Sequence, residues 1–228
     1  AHRLPLHLCP GAAAALYRPL RADLLIGLES VPFCRSVNIY EYTEVQMTST
    51  ARSLRMILIK SSVVHTATYF LVGLIAYTLF DYGSAFTTSG LEMLMRPTDD
   101  PLVTAGPLFQ PIRGLLFGIA FYLFQRDFFE RKDGWLRMWA ALVIIGIIST
   151  FGPAPGSIEG LIYTTLPFKT QLSPGILEVL VQSLLLSLLV HTWVNNPDKK
   201  WLSRILWVVF GAAILLPAAG ILAAGMGA

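Results

Sequence analysis

Five long apolar runs dominate this chain and limit what it can fold into. Each run is nearly free of charge, and charge-bearing connectors separate them. A helix rises about 1.5 Å per residue, so roughly 20 apolar residues cross the hydrocarbon core of a bilayer. A mean hydropathy of +0.61 and a charged fraction of 14% agree with this reading. The pattern predicts an all-α integral membrane bundle of about five transmembrane helices, with spans near residues 56–80, 102–124, 135–151, 174–194 and 202–228.

Lysine and arginine near the span ends predict the orientation, because cytoplasmic connectors carry an excess of these residues. The connectors that would face outward hold only Arg96 and Lys169. The lead into the first span and the two opposite connectors hold ten: Arg52, Arg55, Lys60, Arg126, Arg131, Lys132, Arg137, Lys199, Lys200 and Arg204. The N-terminus is therefore expected in the cytoplasm, and the bacterial cytoplasmic (inner) membrane is the expected location.

The first 46 residues differ from the rest of the chain. Prolines and arginines interrupt every apolar stretch, and both cysteines, Cys9 and Cys34, lie here. Met47 opens a short polar lead with Arg52 and Arg55, as a natural start before a first span would. We therefore expect a transmembrane domain over 47–228. Residues 1–46 are expected to be a non-native leader, with a loosely ordered cytoplasmic segment as the alternative.

The second span is the least ordinary. Arg113 lies well inside it, with Gln110 one turn earlier, and Pro107 and Pro111 occupy its outer half. A proline removes a backbone donor and crowds the preceding turn, so this half is predicted to be kinked or broken. A guanidinium at membrane depth is costly and seeks a partner.

Carboxylates from other segments could supply that partner. Glu178 and Gln182 are one turn apart in the fourth span, hence on one face. Glu159 lies in a Gly/Pro-rich connector, and Asp81 lies at the outer end of the first span. One hypothesis is an outward-facing polar cavity in which Arg113 anchors an anion and Glu159 or Glu178 accepts a proton. The other is a buried ion pair that only fixes helix packing. The candidate residues are Arg113, Glu159, Glu178, Gln110, Gln182 and Asp81.

Other features of the spans favour packing over chemistry. Gly114 and Gly118 form a G-x-x-x-G pattern, which is typical of close helix contacts. His65 is expected to bond a neighbouring helix, with a proton relay or a haem site shared with His191 as alternatives. The chain carries no metal-ligating or nucleotide-binding motif, so we predict no metal and no cofactor.

Two segments resemble a group of small, uncharacterised bacterial multi-pass membrane proteins. They are Gln110-Pro-Ile-Arg-Gly114 and the connector from Phe151 to Gly160. The likeness runs from Ile57 to about Trp201 and leaves out residues 1–46. It implies no assigned activity, but it implies that Arg113 and Glu159 belong to recurrent segments of that group.

The leading functional hypothesis is a membrane protein with an outward-facing polar cavity, acting in transport or as a subunit of a membrane complex. A membrane-embedded enzyme acting on a lipid-linked or apolar substrate is the first alternative, and a structural or assembly protein is the second. The expected partners are the lipid bilayer and either a further copy of the chain or another membrane subunit. Nucleic acid is not expected as a partner.

Overall fold

The structure, a computed structural model, describes residues 39–88, 90–172 and 174–226. Side chains are described from 54 to 223, except at 85, 87, 88 and 174. The chain divides into two compact units, Ala1–Val45 and Gln46–Ala228, and the second unit holds all of the predicted spans. Most of the predicted leader, residues 1–38, lies outside the described residues.

The described residues form helices and turns, with no β-strand among them, which agrees with the predicted all-α class. A π-helical turn, Ile144–Ile148, directly follows the helix Gly134–Val143. The helices are α1 Ile39–Phe80, α2 Tyr82–Thr88, α3 Pro101–Thr104, α4 Gly106–Leu123, α5 Gln125–Phe129, α6 Gly134–Val143, α7 Ile158–Tyr163, α8 Phe168–Gln171, α9 Pro174–Asn195 and α10 Lys200–Met226.

Three helical segments in the described chain are long and apolar enough to cross a membrane, which indicates an integral membrane protein. They are Leu54–Phe80, Phe168–Asn195 and Lys200–Ala223. The apolar helix Gly134–Ile148 is shorter. Helix α4 reaches only 18 residues and carries a cation, an amide and two prolines, which lower its apolar content. Crossing by these two helices, and hence the count of five spans, remains a prediction.

Helices α1 and α4 are in close contact through glycine. A methyl group built on Gly114 would lie 2.5 Å from Ser62 Cα, and one on Gly118 would lie 2.9 Å from Leu58 Cα. Small residues let helix backbones approach in this way. The segment of α1 from Ser61 to Thr68 is buried, and five of its eight residues are polar: Ser61, Ser62, His65, Thr66 and Thr68. The buried hydroxyl groups of Thr66 and Thr68 bond carbonyl groups of their own helix.

The predicted break in the second span lies before α4. The Asp100 side chain accepts a hydrogen bond from the Leu102 backbone N–H at 2.8 Å and so begins α3. Ala105 then separates α3 from α4. Pro111 stands inside α4, and its carbonyl accepts a hydrogen bond from the Ser62 hydroxyl at 2.9 Å.

An apolar core joins α1, α4, α5, α6, α9 and α10. Met138 of α6 and Val190 of α9 are fully buried in it. The indole nitrogen of Trp139 donates to the Leu180 carbonyl, a further link between α6 and α9. The buried members of the core are Ile57, Val63, Val64, Ala67, Phe121, Phe128, Met138, Leu186, Val190, Trp193, Leu202 and Leu206.

The connector between α6 and α9 folds into a compact pair of short helices. The buried Ser157 side chain accepts from the Gly160 N–H at 2.9 Å and begins α7. Gln171 is 2% exposed and donates to the carbonyl oxygens of Gly160 and Leu166 at 3.0 and 3.3 Å. Its own side-chain oxygen accepts from the Gly156 N–H. One buried amide therefore ties α8 to the start and the end of α7.

Candidate functional site

A cavity of about 630 Å³ lies among α1, α2, α4, α9 and the connector that holds α8. Two cations, Arg113 and Lys169, lie on its wall together with Glu178 and Gln182. The rest of the lining is largely aromatic or aliphatic: Tyr69, Phe80, Tyr82, Phe86, Leu91, Met95, Pro155 and Val179. The cavity thus combines charged groups with an apolar surface.

A second cavity, of about 870 Å³, adjoins the first, and the two share Tyr69, Tyr82, Phe86, Met95 and Glu178. Its cation, Arg96, forms an ion pair with Asp100 at 3.0 Å. The Leu102 backbone N–H and the Arg96 guanidinium hold the pKa of the Asp100 carboxyl below its usual value. The positive charge of Arg96 in the second cavity is therefore balanced by Asp100. Arg113 and Lys169 of the first cavity differ in this respect.

Arg113 and Lys169 have no acidic partner in the described part of the chain. The ion pairs there link Arg96 to Asp100 and Arg131 and Arg137 to acidic residues near α6. Arg113 instead places its guanidinium over the Phe117 ring, 5.6 Å from the ring centre. A direct pair between Arg113 and Glu159 or Glu178 is thus absent from the described contacts. Arg113 and Glu178 both line the 630 Å³ cavity without forming an ion pair.

Glu178 stands where the two cavities join, and its partner there is a tyrosine. The Tyr82 hydroxyl donates a short hydrogen bond to the Glu178 carboxylate. Burial, and then this bond to a carboxylate, raise the pKa of the Tyr82 phenol. Gly73 of α1 faces this carboxylate, and a methyl group built there would lie 3.6 Å from a Glu178 oxygen, an ordinary van der Waals contact.

The remaining predicted site residues lie elsewhere. Gln110 is buried and accepts a hydrogen bond from His65, which confirms the expected bond from His65 to a neighbouring helix. Asp81 is exposed at the turn between α1 and α2, where it accepts from the Ser84 hydroxyl at 2.6 Å. Glu159 is in the first turn of α7 and lines neither cavity. His191 bonds the Arg131 carbonyl.

Three contributors to the site were not recognised from the sequence. Tyr69 follows His65 by one helical turn, so periodicity along α1 could have placed both on one face. Lys169 entered the argument only through the topology, although it is one of just two basic residues in the outer connectors. Tyr82 directly follows Asp81 at the outer end of the first span, where an aromatic residue is expected at the membrane interface without any role in a site.

The described residues include no cluster of three or more histidine, cysteine or acidic side chains that could hold a metal ion. Comparison with family models, curated proteins and solved structures finds no match to this chain. The site is therefore interpreted from its own chemistry.

Proposed function

We propose that this chain is a five-span membrane protein, with its N-terminus in the cytoplasm, whose outward-facing cavity binds a small organic anion for transport. The observation that carries the proposal is the pair of cations, Arg113 and Lys169, on the wall of the 630 Å³ cavity with no carboxylate within ion-pair distance in the described chain.

Energies support an exogenous anion as the partner of Arg113. A guanidinium at the middle of a membrane costs at least about 2.5–3.5 kcal/mol on insertion scales. A cation–π contact such as that with Phe117 returns about 0.5–2 kcal/mol. The contact with Phe117 therefore offsets only part of the cost of placing the guanidinium in the membrane. The remaining cost favours binding of a negatively charged group beside Arg113. A carboxylate or phosphate group between Arg113 and Lys169 would supply it.

The lining restricts the rest of the ligand. Ligand pockets usually measure about 300–1,000 Å³ and are mostly apolar with a few placed polar groups. Tyr69, Phe80 and Phe86 offer aromatic surface to a planar apolar body. The ligand class that fits is an anionic group on a small aromatic or apolar body. Glu178 opposite would disfavour a second negative charge on that body.

The topology predicted from the ten and two basic residues places the cavity at the outer face. The ends of α1 and the beginnings of α4 and α9 lie on that side. An opening there suits capture from outside the cell. The same arrangement suits a subunit that presents the anion to a partner in a membrane complex.

A membrane enzyme is the second candidate, favoured by the Tyr82–Glu178 hydrogen bond beside the cations. A carboxylate and a phenol within hydrogen-bonding distance can take a proton from a water molecule that attacks a bound ester and return one to the alkoxide that leaves. This candidate requires a lipid-linked anionic substrate that enters from the bilayer. It predicts turnover of the ligand, whereas transport leaves the ligand unchanged.

Binding of 2-naphthoate tests the proposal, with the uncharged isostere 2-naphthamide as ligand control. The protein is purified into nanodiscs of zwitterionic lipid, and binding is followed by naphthyl fluorescence against empty discs. Hydrogen bonds to charged groups contribute about 1.5–3 kcal/mol, so Arg113→Gln and Lys169→Gln should each weaken naphthoate binding by roughly 10-fold or more. Lys132→Gln, in an exposed connector away from the cavity, is the matched control. Equal binding of naphthamide, or equal loss in all three variants, would refute the anion site.

Stability measurements separate this site from a structural ion pair. Removing one partner of a buried pair costs about 3–5 kcal/mol. Arg113→Gln should therefore strongly destabilise the protein if the charge is structurally paired. It should leave the stability of the ligand-free protein unchanged or raise it if the charge serves a ligand. Uptake of naphthoate into proteoliposomes, with recovery of the intact compound, then distinguishes transport from turnover.

A further inference from the structure

A polar cluster lies in the protein interior beside the anion cavity. His65 and Ser61, one turn apart on α1, are 2% and 0% exposed. Gln110 of α4 contacts the histidine and is also buried. Two atoms of this cluster, His65 Nδ1 and Ser61 Oγ, have no hydrogen-bond partner in the described structure. Buried polar atoms are nearly always paired, so two unpaired atoms on one helix face call for an explanation.

The hydrogen bonds of Gln110 determine which histidine nitrogen is the free one. The Gln110 side-chain nitrogen donates to the Gly106 carbonyl at 3.1 Å. Its oxygen therefore faces His65 Nε2, also at 3.1 Å, and can only accept. Nε2 must carry the hydrogen, which leaves the lone pair on Nδ1. The unpaired interior atom is thus a base.

The aromatic ring of Phe117 lies between His65 and Arg113, a cation of the cavity wall. The His65 ring contacts Phe117 edge-on at 4.9 Å between centres, and Arg113 places its guanidinium over that ring at 5.6 Å. Tyr69, one turn beyond His65, lines the cavity and has its ring centre 6.4 Å from that of His65. His65 therefore lies one side chain away from the cavity wall.

The charged and titratable groups around His65 are few in the described chain. Arg113 approaches from α4 and Tyr69 from α1. Glu178 of α9 stands beyond Tyr69, on the cavity wall. Lys60, on α1, turns away and donates to the Trp193 carbonyl at 2.6 Å. Arg113 is thus the cation whose charge most opposes a second positive charge on His65.

We propose that His65 Nδ1 is a proton-binding site whose proton affinity rises when an anion occupies the Arg113 side of the cavity, so that binding of the anion and binding of a proton favour each other. In this step Nδ1 takes up one hydronium-derived proton from the solvent and becomes an N–H donor, and no other bond changes. A helical side chain leans toward the N-terminus, over the turn that holds Ser61, so the Ser61 oxygen is the natural acceptor for that N–H. The inference rests on the proposed anion site.

The expected size of the coupling follows from the charge of the anion. A unit charge about 10 Å away in a medium of effective dielectric constant about 20 changes proton affinity roughly tenfold. Coupling between two binding sites is reciprocal, so protonation of His65 should raise anion affinity by the same factor.

Nitrogen NMR of ¹⁵N-histidine-labelled protein in nanodiscs tests the proposal, because the spectrum reports the tautomer and the protonation of each ring. The chain has four histidines, and His65→Gln assigns the signal of interest. Without ligand, His65 should show the Nε2–H tautomer. With saturating 2-naphthoate its pH of half-protonation should rise by about one unit, with no change on adding 2-naphthamide. In ligand-free Arg113→Gln protein the same rise should appear without naphthoate.

The outcomes separate the two proposals. If naphthoate binds through Arg113 but the His65 titration does not move, proton coupling is refuted and the anion site stands. If naphthoate fails to bind, the anion site is refuted and the coupling falls with it. An Nδ1–H tautomer in the ligand-free protein would also overturn the inference. The His65→Gln protein, which keeps a polar side chain, should bind naphthoate with no dependence on this proton.

Discussion

Alanine at Gly114 should force α1 and α4 apart. The new methyl group would lie 2.5 Å from Ser62 Cα and 3.1 Å from two backbone oxygens, whereas ordinary contacts begin near 3.4 Å. Backbone atoms cannot rotate away, so the helices must separate by about 1 Å. Overpacking of this kind costs about 1–3 kcal/mol, and alanine regains about 0.5–1 kcal/mol of helix preference over glycine. We expect Gly114→Ala to be destabilised by about 1 kcal/mol, the overpacking cost less the gain in helix preference.

The assay is unfolding in mixed micelles titrated with SDS, followed by tryptophan fluorescence. Gly211→Ala is the matched control, because it is also a helical glycine and nothing lies within 4 Å of its added methyl group. The control should be unchanged or stabilised by up to about 1 kcal/mol. Gly114 adjoins Arg113, so the displaced helix should also weaken 2-naphthoate binding. If Gly114→Ala proves as stable as Gly211→Ala, the close contact of α1 and α4 is refuted.

Two further predictions concern topology and pH. A reporter fused after Asn196 should be cytoplasmic and one fused after Ala228 external, and finding both on one side would reject five spans. Burial and the Glu178 bond raise the folded-state pKa of Tyr82 above its ordinary value of 10.0, so their contribution to stability is complete below pH 10 and declines as pH rises toward the folded value. Wild type should therefore lose stability relative to Tyr82→Phe above pH 10, and parallel pH curves would contradict this.

Apolar length and proline chemistry account for what the sequence could predict of the fold. The fourth and fifth predicted spans match α9 and α10 within two residues at the ends that the structure describes. The break beside Pro107 was also foreseen, because proline crowds the preceding turn in any context. The short helix α6, in the third predicted span, and the polar α4 remain predictions as spans, since length and composition near the threshold do not decide membrane crossing.

The site itself was only partly predictable. Arg113, Glu178 and Gln182 were selected because charge and amide groups at membrane depth need partners, and these three line one cavity. Sequence could not tell a shared cavity from a direct ion pair, because side-chain direction depends on how α4 and α9 rotate. The Tyr82 contact with Glu178 joins residues 96 positions apart, and no local pattern reports such a pair.

Gln171 should control the connector that forms one wall of the cavity. Its buried amide donates to the Gly160 and Leu166 carbonyl groups and to the Thr164 hydroxyl oxygen. Gln171→Glu keeps the shape but replaces the donor with acceptor oxygens, so three oxygen atoms would face a carboxylate at a site 2% exposed. Gln171→Leu removes the bonds without adding charge, and an unpaired buried group costs about 1–3 kcal/mol.

Hydrogen exchange over residues 153–172 should therefore increase in the order wild type, Gln171→Leu, Gln171→Glu, while exchange in α1 stays unchanged. Thr165→Val, at an exposed position in the same connector, should exchange like wild type. Lys169 lies within residues 153–172, so 2-naphthoate affinity should fall in the same order as exchange increases. A Gln171→Glu protein with wild-type exchange would mean that this amide does not hold the connector. A protein with fast exchange but unaltered naphthoate affinity would mean that the anion does not depend on this wall.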